Sequence, residues 1–535
     1  MLSKTEKHQY RSQLFSHLNG FVIAPTAHCL HKFKVCEHIL KEQTVCVTDL
    51  ASQFNANEGY LNIALRLIAS QGWLDQNIDN LNNKVLYSCN DKTAQAFNYF
   101  HLYNTAVAHL KELGLSETPF NKSQILLIES YLKWYLDLTE NFKYPENDAS
   151  IVSEIFSHLE GVLIGPILVN AGLKKAFQTY YIHQQSETDN ALTPEFYRLL
   201  TVLSQLNWFE YQNKGYVFTN KGLFFTKRAS AYGVTISYQP TLTHLDELIF
   251  GDPLLFKNSL LSTTEKHVNR TINVWGSGGA HTTYFKVIDE IIIKIFNKPI
   301  EQQPEGILDM GCGNGAFLIH LFNVIEQQTL RGSKLEEYPL TLIGVDYNQA
   351  AIDVSKQNLI DADVWAKVIW GDISNPKKLA DDLERKFQIQ LEKLLNVRTF
   401  LDHNRIWDTN ANLSENYSSE SSGAYAFEGK RLSNNAVSAS LKHHFEKWKP
   451  YIKSHGLIII ELHTLPPGLA AQNRNNTLTI AYDATHGYSD QYIVEVDEFL
   501  RIISDLNLKI DPHHFKRFPD SDLATVTVNY IKSRI

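Results

Sequence analysis

The sequence predicts an α/β chain built in two parts: two mostly helical, winged-helix-like units, then a Rossmann-like open sheet of seven strands. Three observations lead there. A helical motif near the N-terminus recurs in the second quarter of the chain. After residue 300 the pattern changes to strands alternating with helices. A glycine-rich turn then joins the first strand of that half to its helix.

At 535 residues the chain is too long for one compact core. Its 44% hydrophobic and 20% charged residues are those of a soluble globular protein. A net charge of −8 and a pI near 6.2 argue against a chain devoted to nucleic acid, which carries a basic footprint. Five cysteines (Cys29, Cys36, Cys46, Cys89, Cys312), odd in number and without a CxxC pair, fit a reducing compartment better than a disulfide scaffold. The N-terminus lacks the apolar core of a signal peptide, and no uninterrupted span looks long enough to cross a bilayer. The expectation is a cytoplasmic protein.

The repeat is "LFSHLNGFVIAP" (14–25) against "IFSHLEGVLIGP" (155–166), with Ser-His-Leu and the Pro in register. Further on, "IASQGWL" (68–74) aligns with "VLSQLNWF" (202–209). Each copy reads as a helix ending near a Pro, more helices, and an aromatic pair of short strands. In "TDLASQFNANEGYLNIALRLIASQGWL" the apolar spacing is helical, and "NANEG" divides two helices. "WFEYQNKGYVFTN" reads as a hairpin wing turning at 213–215. The expected units are 1–118 and 119–250, with 251–300 a linker and cofactor-capping helix. Such units bind nucleic acid or serve as dimerisation and substrate-lid modules. The candidate recognition helix "GYLNIALRLIASQ" has one Arg and no Lys, too few cations for phosphate contacts, which favours lid and homodimer scaffold. His17 and His158 lie in apolar helices and read as packed, hydrogen-bonded core histidines.

In the remaining part, 301–535, "GILDMGCGNGAFLIHLF" is a strand, a turn carrying Gly311, Gly313 and Gly315, and a helix. Glycines there let the backbone turn tightly and approach a ligand. The spacing Gly-x-Gly-x-Gly, with Asp309 two residues ahead, departs from the dinucleotide fingerprint. It resembles motif I of class I S-adenosylmethionine-dependent methyltransferases, which implies this fold, this cofactor and transferase activity. "LTLIGVDYN" ends a second strand at Asp346, placed for the ribose hydroxyls, and "AKVIWGDIS" ends a third at Asp372, which the resemblance implies would bond the adenine amino group. A sheet needs no carboxylate at each carboxyl edge, so three in order point to a ligand. "NVRTFL" and "GLIIIELH" are strands four and five, "VDEFLRIISDLNL" a helix, "HHFKRF" strand six and "TVTVNYI" an antiparallel strand seven.

His403, in "FLDHNRIW", closes strand four, and His463 closes strand five, so both belong beside the cofactor's methyl group. "THGYSDQYIVE" (485–495) adds His486 and Gln491, and "NVWGSGGAHTTYF" (273–285), with His281, could cap the cofactor pocket. Two chemistries compete. A histidine could act as general base for O-methylation of a small molecule. Alternatively His403, His463 and a third donor hold a metal that stabilises an enolate for C-methylation, and imidazole with amide oxygen suits iron or manganese. Arg405, just past His403, could fork onto a substrate carboxylate, or only bond its neighbours. His267, His281, His443, His444, His513 and His514 read as solvated, and the serine-rich stretch 410–436 as a loop over the site or disorder.

Through "NVWGSGGAHTTYF", "LDMGCGNG", "LIGVDYN", "RTFLDHNR" and "HGYSDQY", most of the chain resembles the metal-dependent C-methyltransferase domains of apratoxin-type polyketide synthase loading modules. That resemblance implies methylation of carbon next to a carbonyl on an acyl-carrier-bound substrate. It implies a mononuclear iron(II) or manganese(II) held by His403 and His463, with Gln491 and His486 from the polar segment. A free-standing chain would use a carrier in trans or a small keto acid.

Overall fold

The computed structural model describes residues 2–178, 193–212, 215–257, 265–409 and 417–534. The chain divides into two compact units: residues 1–280 with 424–432 and 466–490, and residues 281–423 with 433–465 and 491–535. The expected boundaries at 118 and 250 therefore fall inside the first unit, which also takes in two later segments.

In the first unit the repeat is a helix crossing. The helices Lys4–Lys32 and Ala149–Leu173 pack on each other through the repeated motif. A Cβ on Gly20 would lie 2.2 Å from the His158 Cα, and one on Gly161 would lie 2.5 Å from the His17 Cα. Each copy's glycine thus receives the other copy's histidine backbone. The histidines are core residues as expected: His17 Nδ1 pairs with the Tyr232 hydroxyl at 2.9 Å and His158 Nδ1 with the Tyr103 hydroxyl at 2.8 Å. Both helices run on through Pro25 and Pro166 instead of ending near them. An internal proline costs a helix about 3 kcal/mol, and here burial of nearly every residue around it offsets that cost. The helical segment Glu146–Leu173 is long and apolar enough to cross a membrane, contrary to expectation, yet 83% of its apolar 18-residue window is buried. That is the signature of a core helix.

After the first crossing helix come helix Val35–Glu42, strand β1 (Thr44–Cys46), helices Val47–Phe54 and Glu58–Ser70, and strands β2 (Asp75–Asp79) and β3 (Lys84–Ser88), paired β1-β3-β2. The "NANEG" division is real: Asn55 adopts a left-handed φ of 49° between the two helices. The second copy has helix Pro194–Gln205, capped by Thr193 with Pro at its first turn, then the hairpin β4 (Phe209–Gln212) and β5 (Gly215–Phe218). Residues 213–214 of the expected turn lie outside the described residues. The segment 273–285 is part of one helix, Arg270–Phe296, inside the stretch expected to hold a capping helix. Gly276 serves packing, since its Cβ would fall 2.5 Å from the Val234 nitrogen. The side chain of His281 lies outside the described residues.

The second unit holds the sheet: β6 (Gly306–Met310), β7 (Thr341–Asp346), β8 (Lys367–Trp370), β9 (Leu394–Thr399), then, past the hairpin β10 (Tyr425–Phe427) and β11 (Lys430–Leu432), β12 (Leu457–Leu462), β13 (Leu508–Ile510), β14 (Lys516–Phe518) and β15 (Val526–Ser533). The order is β13-β15-β12-β9-β6-β7-β8, parallel except for β15, which runs antiparallel to β12 and also pairs with β14. Strand six is two short pieces, β13 and β14, so the sheet has eight strands where seven are expected. Strand order reverses between β6 and β9, which opens a crevice at their carboxyl ends.

The described part of the stretch 410–436 is tied down by hydrogen bonds. Residues 410–416 lie outside the described residues. From 417 on, buried Ser419 hydrogen-bonds Ser438 and Glu498, Asn434 donates to the carbonyls of Ser421 and Gly423, and β10 pairs with β11. The serines satisfy buried polar partners, so a polar composition here signals a hydrogen-bonded interior and not solvation.

Candidate active site

The glycine turn follows β6 directly. Gly311, Gly313 and Gly315 have φ of +77°, +55° and +78°, a region that disfavours side chains. A Cβ at Gly311 would press on Leu401 and one at Gly315 on Ser355, but beside Gly313 nothing stands within 4 Å. The turn therefore offers a cradle that only a glycine leaves open. The Gly313 N–H donates to Asp346 Oδ2 at 3.0 Å and the Asn348 N–H to Oδ1 at 2.9 Å, which orients the carboxylate at the end of β7. Asp309, within β6, is 1% exposed and its Oδ1 has no hydrogen-bond partner. Burial, with the nearby Asp346 charge, pushes its carboxyl up to about 8. A buried, unsatisfied carboxyl beside an open cradle fits the cationic amino-acid end of S-adenosylmethionine. Asp372, just past β8, accepts from the Ser374 N–H at 2.8 Å and lines a cleft of about 650 Å³ with Arg405, Trp407, Ser440 and Lys447.

Strand four ends in a bend. Phe400 takes a left-handed φ of +53°, rare for a bulky residue, while its N–H donates to the Ile460 carbonyl at 2.7 Å. The short helical turn Asp402–Asn404 follows and places His403 against β12. The His403 Nδ1–H donates to Glu461 Oε1 in a short hydrogen bond, and both side chains are buried. Glu461 also accepts from the backbone N–H groups of Asp402 at 3.0 Å and Leu462 at 2.8 Å. A carboxylate that accepts from three N–H groups keeps the His403 proton on Nδ1 and the ring's lone pair on Nε2.

His463 sits on the neighbouring strand end, as its position predicts, but its ring turns inward. It is 0% exposed; its Nδ1–H donates to the Val494 carbonyl at 3.2 Å, and its Nε2 accepts from the Thr527 hydroxyl at 2.7 Å. Both nitrogens are committed, and burial pushes the imidazole down to about 3. Gln491 is buried in the same unit. His486 belongs to the first unit, where its Nδ1–H donates to the Tyr482 carbonyl at 2.9 Å. Among the described residues no group of three or more His, Cys, Asp or Glu is arranged to hold a metal.

Arg405 bonds its neighbours, one of its two expected roles. Its guanidinium is buried and donates to the carbonyls of Asp402 and Val437, both at 3.0 Å, and to Ser440 at 3.2 Å. It pins the His403 turn to the helix Asn434–Trp448. The paired histidines split: His443 and His513 are exposed, whereas His444 and His514 are buried. His444 donates from Nε2 to Asp402 Oδ1 at 2.9 Å. Glu461, Arg398 and Asp402 were not singled out by the sequence reading. A signal for two of them was present: Glu461 in "GLIIIELH" and Arg398 in "LLNVRTFL" each put a charge inside a buried strand. A charge there needs a partner.

Residues 265–529 match a methyltransferase family described as the AprA MT2-like domain. Residues 10–76 match the AprA N-terminal domain and 160–252 the AprA winged helix domain. The chain belongs to the AprA-type methyltransferases. It is an S-adenosylmethionine-dependent enzyme, with a class I methyltransferase domain behind a helical, winged-helix N-terminal part. No curated protein matches it. Among solved structures, an O-methyltransferase family protein from Burkholderia thailandensis is 12% identical at a TM-score of 0.39, over 74% of this chain and 100% of its own. The CurJ carbon methyltransferase is 11% identical at 0.31, over 82% and 99%. An O-methyltransferase family 2 protein from Planctomyces limnophilus is 10% identical at 0.35, over 99% and 97%. These likenesses are remote.

Proposed function

We propose that this AprA-type chain methylates an acidic hydroxyl, phenolic or enolic, of a small molecule, with His403 as general base. The observation that carries the reading is the buried pair of His403 and Glu461 at the carboxyl ends of adjacent strands, past the glycine turn. S-Adenosylmethionine supplies a methyl group on a sulfonium that leaves without help from an acid. What the chain must add is acceptor position and a destination for the acceptor's proton. The acceptor O–H gives its proton to His403 Nε2 as the oxygen–methyl bond forms, and Glu461 stabilises the resulting imidazolium through Nδ1–H. General-base assistance of this kind is worth about 10²–10⁴ in rate.

The alternative of metal-assisted C-methylation, taken through His403 and His463, meets a His463 whose two ring nitrogens are already bonded within the core. The chain thus supports proton removal by an imidazole better than enolate capture by a metal. Against a panel of phenols, enols and keto acids, His403→Gln should lower turnover by about 10²-fold or more while leaving cofactor affinity unchanged. A chelator should leave turnover intact. Loss of activity on chelation, restored by iron(II) or manganese(II), would overturn the reading.

A further inference from the structure

Two buried carboxylates belong to the turn that carries the base and to the strand it packs on. Glu461 holds His403, and Asp402, one residue earlier, joins it through its N–H to Glu461 Oε2 at 3.0 Å. Asp402 is only 1% exposed, and its Oδ2 faces the Arg398 guanidinium at 3.3 Å, while its Oδ1 accepts from His444. Arg398 is itself 1% exposed and lies over the rings of Trp448 at 4.6 Å and Phe445 at 5.7 Å. A buried Arg–Asp–His cluster is a poor device for stability, since apolar side chains of the same volume do as well or better. Its place, directly behind the turn that carries His403, points to another use.

We propose that Asp402, clamped by Arg398 and His444, is a positioning residue for His403: it fixes the turn and absorbs the Arg398 charge, so that Glu461 stays on His403 Nδ1. This role presupposes His403 as the base. Asp402 holds no reacting atom. If its charge is removed, Glu461 is the remaining acidic side chain that attracts Arg398, and it then serves two donors in place of one.

The test reads the imidazole directly and needs no acceptor. In full-length protein labelled with ¹⁵N-histidine, the His403 signals, assigned by their loss in His403→Gln, should show the proton on Nδ1. Asp402→Asn should shift them toward a mixture of tautomers. The pair Arg398→Met with Asp402→Asn, which removes both charges together, should restore the Nδ1–H form. Should Asp402→Asn fail to fold, His444→Ala removes a clamp without stranding a charge and should give the same shift in milder form, reversed in His444→Gln. Unchanged His403 signals in the single variants, or no recovery in the double variant, overturn the positioning role. Methyl transfer surviving in His403→Gln would instead overturn the base while leaving this spectrum as described.

Discussion

At Gly313 the structure turns a motif into a testable surface. The residue has a left-handed φ and open space where a Cβ would project. Gly313→Val should abolish S-adenosylmethionine binding by filling the cradle as well as straining the turn. Asp346→Ala should weaken it about tenfold or more, because hydrogen bonds to a charged group contribute about 1.5–3 kcal/mol. Calorimetry on the two purified variants checks both. The same scale shows where residue-by-residue reading stops. Asp309, Asp346, Asp372, His403 and His463 all sit at strand ends of the open sheet or within one residue of its turns, as their spacing indicates. Which way an imidazole faces is not a property of spacing. His403 turns to Glu461, and His463 turns to Val494 and Thr527, because β12 and β15 bring different partners to each ring.

Between elements, the repeated Ser-His-Leu-x-Gly is a contact code. Gly20 and Gly161 let the two crossing helices approach until each backbone meets the other's histidine. Gly20→Ala or Gly161→Ala should therefore cost about 1–3 kcal/mol as the helices part to admit a methyl group. Urea denaturation, with the midpoint shifted and the slope unchanged, would show it. The helix Glu58–Ser70 has the position of a recognition helix in its winged unit, yet every residue from Gly59 to Ser70 is buried. Within the first unit β10, β11 and the helices Pro467–Gln472 and Thr479–Gly487 pack on it, and Arg66 is spent on Asp483 at 3.2 Å. We therefore expect no salt-sensitive binding to duplex DNA or RNA at physiological ionic strength. A filter-binding titration across salt concentrations that shows tight binding at low salt and steep loss above it would contradict this.

Across the whole molecule, four buried imidazoles set a common pH response. Burial pushes His109 and His444 down to about 4 and His158 and His463 down to about 3, against an ordinary value of 6.5. In the unfolded chain each binds a proton below about 6.5, while in the folded chain none does until far lower pH. The imidazoles' contribution to folding stability is thus complete above about 6.5 and lost progressively as pH falls toward 4. The Asp309 carboxyl, held up to about 8, opposes this by one proton, so the melting temperature should drop below 6.5 because the four imidazoles outweigh it. A melting temperature that held constant down to pH 5 would mean these rings are not buried neutral. The sequence by itself determined the order of helices and strands, the internal repeat, the glycine turn and its three acids. All of these depend on local periodicity, turn chemistry and chain topology, which are written in consecutive residues. Only the tertiary structure decided that His403 and Glu461, 58 positions apart, form a pair. It also decided that Arg405 and His444 brace the turn, that His463 belongs to the core, and that residues 424–432 and 466–490 leave the sheet for the helical unit. Each of these is settled by which buried donor meets which acceptor, and a buried polar group takes whatever partner the packed chain brings to it.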